Sequence, residues 1–160
     1  MIYDCFSYWD EDLLLDLRLN ILDKIVDYFV IVEGNKTWQN NSKKINFDLN
    51  KFKKFKDKII YIVVDQQPKN ILKFNDLDSK ESKGEKLILN GMARDYFQRE
   101  NLSRGLADAN QEDLVLISDL DEIPNLNKLN LTSIKNNILI FEQKMFYYKF
   151  NLFYDKFKWQ

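Results

Sequence analysis

Leu114-Val115-Leu116-Ile117-Ser118-Asp119-Leu120-Asp121-Glu122-Ile123-Pro124 is a continuous apolar run that ends in two carboxylates spaced i, i+2. Such a run reads as a β-strand buried on both faces, which puts Asp119 and Asp121 at its C-terminal end. In open α/β sheets that edge is where ligands bind. Two hard oxygen donors there suit a divalent cation, and the cation in turn suits a diphosphate. The same Asp-x-Asp pattern occurs at Asp10/Asp12 and at Asp76/Asp78. The first of these reads as capping and dipole charge at a helix start, and the second as solvated loop. Only Asp119/Asp121 follows a buried strand. Its competing reading is a turn, because acids begin turns and Pro124 enforces one.

The preceding chain alternates strands with helices. Residues 2–8 mix aromatic and β-branched side chains and read as a first strand. Asp10 or Asp12 can cap the helix that follows, with Leu13, Leu14, Leu17, Ile21 and Leu22 at i, i+3/i+4 spacing. Residues 28–32 form a second buried strand ending at Glu33-Gly34-Asn35, residues 49–56 a short helix, and residues 59–64 a third strand closed by Asp65 and Pro68. After a polar stretch at 75–84, the pattern predicts a long helix over about 86–109 with Leu89, Met92, Ala93, Phe97, Leu102 and Leu106 on its apolar side. Residues 138–153 are apolar and aromatic and predict one or two further strands. Alternation of this kind implies βαβ units and a mostly parallel sheet. No Gly-x-Gly-x-x-Gly and no Walker-type loop occurs, which argues against a dinucleotide-dependent oxidoreductase or a P-loop enzyme. Phosphate would then be bound through a metal and side chains.

Composition narrows the classes further. The chain has 160 residues, 45% hydrophobic and 31% charged, within the range of one globular domain. A net charge of -1 argues against a nucleic-acid binder. Lysines do cluster at 51–58, but Phe52 and Phe55 interleave them as on a solvated amphipathic helix. Absence of histidine excludes His-based triads, His-ligated zinc and an imidazole base. A single cysteine, Cys5, cannot form an internal disulfide and reads as a buried small residue. No signal peptide is visible and no apolar run approaches the ~20 residues that span a bilayer, so a cytoplasmic location is expected.

Several segments together resemble glycosyltransferase family 17. They are Met1-Ile2-Tyr3-Asp4-Cys5-Phe6 with Glu11-Asp12-Leu13-Leu14 and Arg18-Leu19; Phe29-Val30-Ile31-Val32-Glu33 with Thr37; Asp57-Lys58-Ile59-Ile60 leading to Val63-Val64-Asp65; Arg94, Gln98-Arg99 and Gly105-Leu106; the segment from Ile117 to Pro124; and Phe146-Tyr147-Tyr148 with Asn151 and Leu152. The resemblance implies a GT-A-like (Rossmann-like) α/β fold in a single domain over 1–160, with a nucleotide-sugar donor such as UDP-GlcNAc and a glycan or glycoconjugate acceptor. It also implies a divalent metal, Mn²⁺ or Mg²⁺, and inverting transfer. Asp121 would ligate the metal, and Asp119 would contact the ribose or a metal-bound water. The chain is short at its C-terminus for this family and lacks the membrane anchor of the animal enzymes, which suggests a bacterial or viral relative and an incomplete acceptor region. Two alternatives stand beside this reading. One is a nucleotide-sugar-binding remnant without transfer. The other is an aspartyl-phosphate phosphohydrolase, whose motif usually lies near the N-terminus with Thr or Val where Ile123 stands.

Other residues carry paired readings. Glu33 touches the nucleotide or shapes its loop, against a structural ion pair with Arg18. Phe6 and Ser7 could pack against and hydrogen-bond a base, with core burial the alternative for Phe6. Arg94 and Arg99 offer forked donors to phosphate; five residues apart, they are expected to point in different directions, so that at most one faces the donor. Glu122 could orient the metal ligands or simply solvate a turn. Glu142, the only acid between residues 138 and 148, is the candidate base, because a carboxylate embedded in an apolar stretch is costly unless paired or functional.

Overall fold

The structure, a computed structural model, describes residues 1–131, 134, 138–146 and 151–159. It divides into two compact units, Met1–Asp121 and Glu122–Gln160.

The first unit is built on four parallel strands, β1 (Ile2–Ser7), β2 (Tyr28–Gly34), β3 (Ile59–Val64) and β4 (Leu114–Ile117), in the order β3-β2-β1-β4. Cys5 of β1 aligns with Val30 of β2 on one side and Ile117 of β4 on the other. From Phe29 to Gly34 every residue of β2 is buried, as a parallel strand covered on both faces requires. One sheet face carries Tyr3, Cys5, Val30, Val32, Ile62 and Val64, packed with Leu102 and with the partly buried Phe97 and Leu106. The opposite face meets helix α1 (Asp12–Leu22) and a 3₁₀ segment, Leu49–Phe55, through contacts such as the edge-to-face pair Phe29–Phe55. Phe47 stacks on Tyr61 at 4.3 Å between ring centroids. This is a Rossmann-like sandwich, as expected.

Three expectations shift. First, α1 buries Leu15, Arg18, Leu19 and Leu22, while Leu13, Leu17 and Ile21 are exposed. The helix is apolar around most of its circumference, so periodicity could not choose its inner face. Neither Asp10 nor Asp12 caps it: the cap position is Glu11, whose carboxylate accepts the backbone N–H groups of Trp9 and Asp10. Second, α2 spans Lys80–Glu100 and continues as a 3₁₀ segment, Asn101–Leu106. It starts within the expected polar stretch because Ser79 accepts from the Ser82 N–H as N-cap. Leu89 and Met92 of its expected apolar side are exposed, and Asn90 and Gly91 are buried instead. The Asn90 amide bonds both the N–H and the carbonyl of Leu72, at 2.7 and 2.9 Å, pinning a loop to the helix. Third, β4 is not buried on both faces. It is an edge strand, with Val115 and Ile117 exposed and Leu114 and Leu116 half-buried.

The second unit holds a short 3₁₀ turn, Leu126–Lys128, and an antiparallel hairpin, β5 (Gln143–Phe146) with β6 (Phe153–Trp159). Phe146 and Phe153 meet across the hairpin at 5.5 Å. Among the described residues of the apolar stretch read as strand, 138–142 are irregular, β5 lies inside it, and β6 begins at its last residue, Phe153. Tyr147 and Tyr148 lie outside the described residues.

Candidate functional site

The chain runs from β1 to β2 to β3 in one direction and then returns to place β4 on the other flank of β1. The crevice between β1 and β4 is therefore the switch point of the sheet, where loops diverge and leave room for a ligand. A pocket of about 410 Å³ opens there. Ser7 reaches it from the end of β1, Lys36 and Trp38 from the loop after β2, and Asp119 and Asp121 from the segment after β4. Helix α2 closes it with Arg94, Asp95, Gln98 and Arg99.

The Asp119–Asp121 segment is held from beneath by Arg18, whose side chain is fully buried. Its guanidinium donates to both carboxylate oxygens of the equally buried Asp4, at 2.7 and 2.8 Å. It donates as well to the carbonyls of Asp119 (2.6 Å) and Leu120 (3.1 Å) and to the Ser118 hydroxyl (2.8 Å). The Phe6 ring lies 4.5 Å from the guanidinium carbon. A planar fork suits this site, because one rigid cation reaches β1 and the loop after β4 together. The backbone of the loop is thus turned inward to Arg18, while the Asp119 carboxylate is 42% exposed.

That carboxylate meets Arg99, whose Nη2 lies 2.7 Å from Asp119 Oδ1 and whose Nε lies 3.3 Å from Asp95. Burial works against the Arg99 charge, yet the two carboxylates hold its pKa above the ordinary guanidinium value. Arg94 donates to neutral acceptors, Gln67 Oε1 at 2.8 Å and the Trp38 carbonyl at 3.0 Å, and burial lowers its pKa. Lys36 donates to the Ser42 hydroxyl. Among the described residues neither Lys36 nor Arg94 pairs with a carboxylate, while Glu11, Asp95, Asp119 and Asp121 line the same pocket, so that three cations face four carboxylates. Lys36, Arg94 and Arg99 can donate to an anion's oxygens, and the acids beside them suit a ligand that brings a cation with it.

Among the described residues no three metal-ligating side chains stand close enough to hold an ion alone. Asp119 and Asp121 still fit Mg²⁺ or Mn²⁺. Such ions keep several waters and are commonly bound by one or two carboxylates together with substrate phosphates, and the phosphate-attracting cations share the pocket.

Of the residues singled out in the sequence, the pocket gathers Ser7, Arg94, Arg99, Asp119 and Asp121. Both arginines line it, Arg94 turned to Gln67 and the Trp38 carbonyl and Arg99 to Asp95 and Asp119. Phe6 does not line it; it is wholly enclosed and stacked under Arg18. Glu33 is also fully buried and outside the pocket lining. Its carboxylate pairs with Lys43 rather than Arg18 and accepts from the N–H groups of Asn46 and Phe47 and the Tyr61 hydroxyl, which ties down the loop after β2. Glu122 and Glu142 belong to the second unit. Glu142 is exposed in irregular chain before β5 and not embedded in an apolar strand. Sequence reasoning passed over Lys36, Trp9, Trp38 and the anchoring role of Arg18. An isolated tryptophan in the polar run Asn35-Lys36-Thr37-Trp38-Gln39-Asn40 was the available signal.

No helix among the described residues is long and apolar enough to cross a membrane. No curated protein and no solved structure shows a significant match to the chain. The sequence model described as Glycosyltransferase family 17 matches residues 1–160. With a parallel sheet whose switch point holds a charged pocket and an Asp-x-Asp pair, the chain belongs to glycosyltransferase family 17.

Proposed function

We propose that this glycosyltransferase transfers N-acetylglucosamine from UDP-GlcNAc to a hydroxyl of a glycan acceptor, with inversion and with a divalent metal, Mn²⁺ or Mg²⁺. One observation carries the donor half of this reading: Lys36, Arg94 and Arg99 share a single pocket with Asp119 and Asp121 at the β1/β4 crevice. A diphosphate matches that mixture of charge, its oxygens meeting the cations, and Asp119 and Asp121 would hold the metal. When bound, the ion neutralises charge on the departing diphosphate. Arg18 ties the carbonyls of Asp119 and Leu120 to Asp4 of β1. Ser7 offers a hydroxyl to the nucleoside from the end of β1. Inversion requires a carboxylate that takes the acceptor proton from the face opposite the leaving group. Our candidate is Glu142, as an exposed acid of the second unit, with Glu122 a supporting acid next to the aspartates.

Calorimetric titration of UDP-GlcNAc with and without Mn²⁺ tests the donor site. Metal-dependent binding that disappears in folded Asp121→Ala is the expected result, and no binding to UDP-GlcNAc or a panel of other nucleotide sugars would overturn the reading. Glu142→Gln should keep donor affinity and lose transfer; unchanged turnover removes that assignment.

A further inference from the structure

The loop after β2 is a closed turn. Thr37 N–H donates to the Asn41 carbonyl and Asn40 N–H to the Thr37 carbonyl, both at 2.8 Å, and the Thr37 hydroxyl accepts from Asn41 N–H at 2.9 Å. Asn40 takes the left-handed conformation with φ 71°, which asparagine tolerates. Lys43 N–H closes the base of the turn on the Asn35 carbonyl. Trp38 stands at its tip with 44% of its surface exposed.

Two residues of α2 fix this tryptophan. Its ring lies on the helix at Gly91, where a Cβ would overlap the indole. One turn further on, Arg94 donates to the Trp38 carbonyl and is itself steadied by Gln67. Packing on Gly91 alone would account for a buried ring, but nearly half of this one is left open, and it lines the pocket. Trp9, the other pocket tryptophan, already has the Lys43 ammonium 4.7 Å over its ring. Among the described residues no aromatic or cationic group stacks on Trp38. A rigid indole held beside Lys36 and Arg94 suits a ligand that joins a flat ring to an anionic tail.

Resting on the donor reading above, we propose that Trp38 is the stacking wall for the nucleobase of the donor, and that Gly91 and Arg94 are the positioning residues that hold it. A base on the indole places the phosphates it carries toward Lys36, Arg94 and Arg99.

The test is fluorescence and calorimetric titration, in Mn²⁺, of wild type, Trp38→Phe, Trp38→Ala and Gly91→Ala. The ligands are UDP, GDP, CDP, UDP-GlcNAc and pyrophosphate, with circular dichroism to establish folding. Trp38→Ala should weaken the preferred nucleoside diphosphate about 5- to 150-fold, the range carried by one base–aromatic stack, and leave pyrophosphate unchanged. Trp38→Phe should keep most of the affinity, and Gly91→Ala, which displaces the ring, should follow Trp38→Ala. Nucleoside diphosphate affinity within twofold of wild type in Trp38→Ala overturns the stacking wall while leaving the donor site intact. Equal losses for pyrophosphate and nucleotide also overturn it, because the tryptophan would then serve only the loop. A loss confined to UDP-GlcNAc means that the wall takes the sugar and overturns the nucleobase assignment. Failure of wild type to bind any of these nucleotides overturns both readings.

Discussion

Arg18→Met should destabilise the fold severely and disable the donor site, and the two effects can be separated. Methionine keeps the apolar stem of the side chain but removes every donor of the guanidinium. The Asp4 carboxylate, buried beside it, loses both of its 2.7–2.8 Å bonds. Breaking a buried pair from one side costs roughly 3–5 kcal/mol. The Asp119 and Leu120 carbonyls and the Ser118 hydroxyl lose a partner as well, each worth on the order of 1 kcal/mol. Against a typical total of about 5–15 kcal/mol, this is a large share. At roughly 2–4 °C per kcal/mol for a chain of this size, the pair alone predicts a fall in Tm of about 6–20 °C, read by circular dichroism. Asp4→Leu combined with Arg18→Met removes the stranded charge, and replacing a buried ion pair by apolar groups is often neutral or better. The double variant should therefore recover most of the stability yet still bind UDP-GlcNAc poorly in Mn²⁺, because the guanidinium link from the Asp119 and Leu120 carbonyls to Asp4 of β1 is gone. Loss of less than about 1 kcal/mol in Arg18→Met, or full donor affinity in the double variant, would refute the reasoning.

Two further outcomes follow from the same geometry. Because Arg99 neutralises Asp119 in the ligand-free pocket, Arg99→Gln should tighten Mn²⁺ alone by about 1.5- to 5-fold, the worth of a half-exposed ion pair. It should weaken UDP-GlcNAc by roughly 10- to 150-fold through loss of a charged hydrogen bond; calorimetry showing both ligands weakened would contradict this. Alkali should destabilise the protein well before lysines discharge. Burial, and secondarily Asp4, pushes the Cys5 thiol up to about 12. Burial, with Asp12 bonded to Tyr8 and Glu33 to Tyr61, also raises both phenols. The unfolded chain gives up these protons first, so stability is fully present below the ordinary thiol value of about 8.5 and falls as pH rises toward the folded values. Urea midpoints that stay flat between pH 8.5 and 11 would show that the groups are not held as described.

The strands were legible as continuous apolar, β-branched runs, although the run of β4 stood for an exposed edge and not for burial on both faces. Phe29–Val32, Ile59–Val64 and Leu114–Ile117 each announce themselves, and the aspartates following the last of these mark the ligand edge. Helix faces were harder. The apolar side chains of α1 point in most directions, and its inner face is set by Arg18, a residue that periodicity assigns to solvent. In α2 the pocket side is polar, with Arg94, Asp95, Gln98 and Arg99, and the buried Asn90 holds a loop, so an apolar stripe pointed to the wrong face.

The sequence by itself determined the strands, their parallel arrangement, the family and the position of the Asp-x-Asp pair, because these depend on local patterning over a few residues. The tertiary structure decided which charges pair and what lines the pocket. Arg18 takes Asp4, fourteen residues away, and the Asp119 carbonyl, 101 away, rather than Glu33. Trp38 meets Arg94, 56 residues away, and lies on Gly91. Partners so distant along the chain are chosen by burial: a charge enclosed in the sandwich must find its counter-charge there, and only the folded geometry says which one is within reach.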